Sequence, residues 1–129
     1  MTQAPLMDRI HITEDYDVPR VINGGWQLSA GHALERPLDL ADASRAFNRL
    51  IDMGFDTFDC ADIYTGVEDF FGGIIRERRK AGLRLPQIHT KFVPDLNDLA
   101  NVTPAYIENI ITRSLRRLGV ERLDAVQFH

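Results

Sequence analysis

Four side chains that can move protons stand at or just behind strand-like runs of this sequence. Asp59 ends the run FDTFD, and Tyr64 lies in the loop that follows it. Lys91 and His129 close two later runs of the same kind. A carboxylate, a phenol, an ammonium and an imidazole can together pass a proton to or from an oxygen atom. The sequence therefore predicts an acid-transfer site that is built from these four residues.

The phenol is the proton donor of this set, although a free tyrosine, with a pKa of about 10, donates poorly near neutral pH. An ammonium from Lys91 would stabilise the phenolate, and Asp59 could hold that ammonium charged and in place through an ion pair. His129 could hydrogen-bond the substrate oxygen or relay a proton to Tyr64. Such a set protonates a developing alkoxide. It also needs a hydride donor, and a nicotinamide cofactor can be one whereas a side chain cannot.

The elements that position these residues alternate between strand and helix. Hydrophobic periodicity and capping signals predict helices that begin behind Asp39, near Val67 and at Thr103-Pro104, each followed by a glycine. The order β-α-β-α-β-α-β with short connections predicts an α/β fold with a parallel sheet. The four predicted strands cover residues 18–22, 55–59, 87–92 and 123–128.

Two architectures fit this order, a doubly wound open sheet and a (β/α)₈ barrel. The first turn, Asn23-Gly24-Gly25-Trp26, lacks the G-x-G-x-x-G fingerprint of a dinucleotide-binding open sheet. Eight units of the observed spacing need roughly 250 residues, which is a usual barrel size. We therefore expect residues 18–129 to form the N-terminal half of a barrel. Residues 1–17 are expected to form a polar tail or a short hairpin.

Strand parity predicts which side chains face the inside of this barrel. Gln87 and His89 share the parity of Lys91 and are expected inside, whereas Ile88 and Phe92 should face the helix layer.

Composition and charge exclude several classes of partner. The chain has 129 residues and a formal net charge of −4, with no long run of one sign, which argues against nucleic acid and anionic membranes. The basic cluster at Arg76, Arg78, Arg79 and Lys80 is interpreted as a solvated helix end. A single cysteine, Cys60, suits a reducing compartment. Without an apolar run of membrane length or a secretory signal, the expected location is the cytosol.

Three segments, GFDTFDCADIY, HTKF and LDAVQFH, resemble the signature regions of the aldo-keto reductase superfamily. The resemblance implies a (β/α)₈ barrel that reduces aldehydes and ketones with NADPH, or sometimes NADH. Asp59, Tyr64, Lys91 and His129 match the family's tetrad position by position. By that resemblance Tyr64 is the general acid, Lys91 and Asp59 tune it, and His129 orients the carbonyl group of a small-molecule substrate.

The same resemblance implies a cofactor-binding corner. Gly25 and Trp26 resemble the family's first-strand turn, which borders the nicotinamide, and Asp59 adjoins it. The second half of the family's barrel, which normally supplies most cofactor contacts, has no counterpart in these 129 residues.

Two alternatives stay open at this point. The chain could be a non-catalytic binding or scaffold subunit on the same fold, similar to the potassium-channel β subunits. The exposed sheet edges of a half-barrel would in either case favour self-association. Asp59, Asp62 and His129 could in principle bind a metal, but their spacing matches no compact ligand motif.

Overall fold

The computed structural model describes residues 7–29 and 38–129, so the first six residues of the predicted tail lie outside the described part. Short 3-10 turns cover Trp26–Leu28 and Leu96–Asn101. The strands are β1 (Arg9–Thr13), β2 (Tyr16–Pro19), β3 (Asn23–Gly24), β4 (Thr57–Asp59), β5 (Gln87–Phe92) and β6 (Ala125–Phe128), and the helices are α1 (Leu40–Asp52), α2 (Val67–Lys80) and α3 (Pro104–Leu118).

A four-stranded sheet in the order β3-β4-β5-β6 forms the centre of the fold. All three strand pairings are parallel, and a helix lies in the chain between each pair of consecutive strands. The predicted alternation of strands and helices is thereby confirmed. Because the strands run the same way, their carboxyl ends meet at one edge of the sheet.

The predicted first strand at residues 18–22 is wrong. Val18 pairs with Ile10 and Pro19 with Arg9, so both belong to an antiparallel hairpin of β1 and β2. The first parallel strand is only Asn23–Gly24. An apolar run such as this one indicates extended backbone but does not reveal which strand it pairs with, since pairing depends on residues distant in sequence.

The hairpin covers the amino end of the parallel sheet. Arg9 donates to the carboxylate of Asp56, just before β4, with an Nη1–Oδ1 distance of 3.0 Å. Gln87, at the start of β5, donates its side-chain N–H to the carbonyl of Asp17. Asp56 is buried, and its other oxygen lies 3.1 Å from Arg84. The two arginines explain how a carboxylate that breaks the apolar pattern of its strand is accommodated.

The core lies between the sheet and the helices. Along β5, Ile88 and Phe92 are buried on the helix side, while His89 and Lys91 are half-buried on the other face. This alternation confirms the predicted strand parity for β5. Phe58 of β4 stacks on a phenylalanine of α2 within the core. Among the described residues, no helix is long and apolar enough to cross a membrane.

One basic residue departs from the expected solvated helix end. The Arg78 side chain is only 4% exposed and joins α2 to α1. It donates to Asn48 at 2.9 Å and to Asp52 at 2.7 Å. The prediction is therefore wrong for Arg78, which acts as a structural tie, while the other three basic residues of the cluster are exposed.

Candidate active site

The ammonium of Lys91 is the centre of the site. Lys91 lies near the carboxyl end of β5, and Asp59 ends the neighbouring strand β4. The Lys91 Nζ atom donates to Asp59 Oδ2 at 2.7 Å, to the Cys60 carbonyl at 2.8 Å and to the Tyr64 hydroxyl at 3.4 Å. A lysine ammonium has three N–H donors, so each of them has an acceptor.

These contacts keep the lysine charged. Partial burial lowers the pKa of Lys91, but the hydrogen bond and the negative charge of Asp59, with help from Tyr64, outweigh that effect. The net pKa of Lys91 is raised above its ordinary value. The site therefore contains a fixed positive charge at neutral pH.

The loop that carries Tyr64 is bonded to the end of β5. The Cys60 N–H donates to the carbonyl of His89 at 2.7 Å, and the Asp62 N–H donates to the carbonyl of Lys91 at 3.2 Å. These two bonds continue the pairing of β4 with β5 beyond the last residue of β4. The loop therefore places Tyr64, five residues after Asp59, next to the Lys91 ammonium.

The contact between Lys91 and Tyr64 suits proton donation. The ammonium donates to the phenol oxygen, so the phenol's own O–H bond is left to point elsewhere. The Nζ atom also lies 5.1 Å from the centroid of the Tyr64 ring. An adjacent cation stabilises the phenolate that remains after a proton is given away.

His129 follows β6 at the same edge of the sheet. Lys91 pairs in register with Gln127, and the backbone N–H of His129 donates to the carbonyl of Phe92 at 3.0 Å. The side chain of His129 is exposed. The structure thus brings Asp59, Tyr64 and Lys91 into direct contact and places His129 at the end of the next strand.

Gly25 and Trp26 follow β3 beside Asp59. The Gly25 N–H donates to the Asp59 carbonyl at 2.8 Å. A side-chain carbon at Gly25 would lie 3.0 Å from that carbonyl and from Phe71, so the glycine allows the turn to pack closely on α2. Trp26 is 49% exposed and lies next to the end of β3.

Two other groups near the lysine do not have the properties of catalytic residues. Cys60 is fully buried, and burial together with the charge of Glu68 raises its thiol pKa to about 12. A thiol of that kind is not a nucleophile at neutral pH. His89 shares a 2.8 Å hydrogen bond with Tyr16 of the hairpin. Within residues 7–29 and 38–129, no group of acidic, histidine or cysteine side chains is arranged to hold a metal ion.

The sequence reasoning missed a buried polar network behind the Tyr64 loop. Glu68, in the first turn of α2, accepts from Thr90 at 2.8 Å and from Arg117 at 3.0 Å. Asp62 accepts from the backbone N–H of Val93. One sequence signal was available: two arginines four residues apart on α3, at 113 and 117, follow Ile110 of the apolar stripe at helical spacing.

Comparison with known proteins identifies the family. The sequence profile described as the Aldo/keto reductase family matches residues 20–129, which is most of the chain. The chain belongs to the aldo/keto reductase family. No curated protein matches its sequence.

Solved structures show the same fold. A Pseudomonas aeruginosa protein assigned as an aldo-keto reductase superposes with a TM-score of 0.73 at 22% identity, over 96% of this chain and 48% of its own. A Bombyx mori aldo-keto reductase, solved in complex with NADP, gives 0.71 at 23% identity, over 95% and 38%. An aldo-keto reductase complexed with NADPH gives 0.71 at 22% identity, over 95% and 36%.

These superpositions bear out the predicted partial barrel. The described sheet and helices match the architecture of aldo-keto reductases along nearly all of this chain. The chain spans less than half the length of each of these solved relatives.

Proposed function

We propose that this chain provides the proton-transfer centre for reduction of an aldehyde or ketone to an alcohol, with Tyr64 as the general acid. One observation carries the proposal: in a member of the aldo/keto reductase family, a single ammonium is bonded to a carboxylate and to a phenol. The proposal concerns the chemistry of these residues in the aldo/keto reductase fold. Activity of the 129 residues by themselves is a separate question, which the measurement of kcat described below answers.

The chemistry follows from the positions of the three bonded residues. A reduced nicotinamide, when bound, supplies the hydride that reaches the carbonyl carbon. The carbonyl oxygen then gains negative charge and takes the proton of the Tyr64 hydroxyl. Lys91 stabilises the phenolate left behind, and Asp59 holds Lys91 in place. His129, at the end of the adjacent strand, orients the carbonyl oxygen.

The proposed cofactor is NADPH, with NADH as the alternative. NADP and NADPH accompany two of the solved structures that share this fold, which supports the choice. Gly25, Trp26 and Asp59 would hold the nicotinamide end. Trp26, at 49% exposure, and the Asp59 side chain, at 37%, are both accessible at this corner, which supports this assignment. We propose a small carbonyl compound as substrate and the cytosol as location.

Replacing Tyr64 by phenylalanine tests the acid. The ring and its packing stay, but the transferable proton is lost, so kcat for carbonyl reduction should fall by about 10²–10⁴-fold. The affinity for NADPH, measured by quenching of its fluorescence, should stay nearly unchanged because the phenol is not needed for nucleotide binding.

Tyr106→Phe is the matched control. Its hydroxyl donates to Asp98 at 3.1 Å, away from Lys91, so its removal should leave kcat unchanged. If the Tyr64→Phe variant reduces carbonyls as fast as the unsubstituted protein does, Tyr64 is not the general acid. A folded protein that binds neither nucleotide would instead support the scaffold alternative.

A further inference from the structure

Two buried carboxylates flank Tyr64 in sequence, and the proton-transfer scheme uses neither of them. Asp62 is 5% exposed and Glu68 is 1% exposed. A buried carboxylate is unfavourable unless charged or hydrogen-bonding partners compensate it. The partners of these two residues therefore indicate what fixes the segment between them.

Arg117 of α3 reaches both ends of that segment with one nitrogen. Its Nη1 atom donates to the backbone carbonyl of Asp62 at 3.0 Å and to Glu68 Oε1 at 3.0 Å. Tyr64 lies between these two contacts in the chain. A single guanidinium thus bridges the segment that presents the phenol.

The same two acidic residues are bonded to β5 and to the residue that follows it, on both sides of Lys91. Glu68 accepts from Thr90 at 2.8 Å, and Asp62 accepts from the N–H of Val93 at 3.2 Å. The phenol-bearing loop and the lysine-bearing strand are consequently joined by short polar contacts around the reacting pair.

Backbone hydrogen bonds fix the start of this loop on β5, but the stretch around Tyr64 has little side-chain packing of its own. Gly66, the residue before α2, has a φ of +80° and provides no side-chain cap. The side chains of Ile63 and Thr65, on either side of Tyr64, are exposed and add little packing. The polar contacts of Arg117 therefore add a restraint from α3 to the backbone bonds that hold this stretch.

We propose that Arg117 is a positioning residue that keeps the Tyr64 phenol within hydrogen-bonding distance of the Lys91 ammonium. Arg117 acts through Asp62 and Glu68 and does not itself touch the reacting atoms. The catalytic value of this role rests on the proposed function, whereas the geometric role can be tested without it.

The test measures, by NMR, how fast the protons of the Lys91 ammonium exchange with water. The chain has two lysines, so a ¹⁵N-lysine-labelled sample gives one signal for Lys91 and one for the exposed Lys80. Exchange of the ammonium protons with water should be slow at Lys91, where all three donors have acceptors. Removing one acceptor should accelerate it. Tyr64→Phe is the reference for that loss.

Arg117→Met should accelerate exchange at Lys91 by the same factor as Tyr64→Phe. The nuclear Overhauser contact between the Lys91 side chain and the Tyr64 ring should disappear in Arg117→Met. The double variant should exchange no faster than Tyr64→Phe alone, because both changes remove the same contact. Arg116→Met, the same change at the adjacent exposed position, should leave Lys91 unaffected.

Unchanged exchange at Lys91 in Arg117→Met would overturn the proposal, and so would fully additive effects in the double variant. If Arg117→Met does not fold, Glu68→Gln/Arg117→Met replaces it, since that pair leaves no unpaired charge at Glu68. Exchange at Lys91 should be accelerated by the same factor in this double variant. Unchanged exchange in it would also overturn the proposal.

Activity separates the two proposals. In an active protein, Arg117→Met should lower kcat on the order of 10²-fold, as misplacement of a reacting group does, with little change in nucleotide affinity. If instead the unsubstituted protein reduces no carbonyl compound, the proposed function fails while the exchange result at Lys91 still decides the role of Arg117.

Discussion

At the scale of single residues, Lys91 illustrates how bonding decides which chemistry a side chain can perform. A lysine in an α/β barrel can also serve as a nucleophile that forms a Schiff base, but it must then lose its proton. Lys91 donates to three acceptors, and its pKa is raised by Asp59 despite partial burial. It is therefore suited to act as a fixed cation beside Tyr64, and poorly suited to act as a nucleophile.

His89, two positions before Lys91, gives a prediction on pH. Its pKa is lowered by partial burial, against the opposing charges of Asp124 and Asp59. The unfolded chain therefore takes up a proton at this residue more readily than the folded one. The free energy of unfolding should be fully retained above the ordinary histidine pKa of about 6.5 and decline as the pH falls toward the lowered value.

Urea unfolding at pH 7 and pH 5 measures this decline. His89→Gln keeps an acceptor for the Tyr16 hydroxyl but cannot be protonated, so the difference between the two pH values should shrink. His11→Gln, at an exposed position of β1, should leave the difference as it is. An identical pH dependence in the His89→Gln variant would show that His89 is not the group responsible.

At the scale of elements, α2 packs closely on α3, and this packing places Glu68 beside Arg117. A side-chain carbon added at Gly72 would overlap the backbone carbonyl of Arg117. The next residue, Gly73, has space, since the nearest atom to such a carbon is the mobile end of Arg76 at 3.9 Å. The close approach of α2 to α3 therefore requires glycine at position 72 but not at position 73.

Alanine at each position gives opposite results. Gly72→Ala should destabilise the fold by about 3 kcal/mol or more, because backbone must move apart. Gly73→Ala should stabilise it by about 0.5–1 kcal/mol through helix propensity alone. Thermal unfolding of both variants provides the measurement. Equal effects of the two substitutions would contradict the close contact at Gly72.

The elements also show what sequence reasoning could and could not supply. Helix bounds were predictable because Asp39 and Thr103 cap their helices with side-chain oxygens and Gly119 ends α3 with a positive φ. These are local signals. A short hairpin was one of two alternatives predicted for residues 1–17, but its extension to Pro19 and the two-residue strand β3 were not predicted, since pairing of Val18 with Ile10 depends on which distant strands compete for it.

The candidate site divides in the same way. Asp59, Tyr64 and Lys91 could be named from residue type and position at strand ends, and the structure brings them together. The contacts of Arg117 could not be foreseen, because they depend on the angle at which α3 lies against the Tyr64 loop. The helical pattern alone predicts only which face of α3 is apolar.

At the scale of the whole molecule, the described sheet has two edges, β3 and β6. On β6, Val126 is 42% exposed and Phe128 is 70% exposed, which is unusual for apolar residues of a sheet. An edge strand with exposed apolar side chains presents unpaired backbone groups next to a hydrophobic surface. Such an edge favours association with another strand or chain.

We therefore expect the 129-residue chain to self-associate through β6. Sedimentation velocity over a range of concentrations should show species larger than a monomer. Phe128→Lys places a charge on the edge strand and should shift the equilibrium toward monomer. Leu96→Lys is the matched control, because Leu96 is 86% exposed but lies in the 3-10 turn before α3. A well-folded monomer at all concentrations, or equal effects of both lysines, would show that the β6 edge does not drive association.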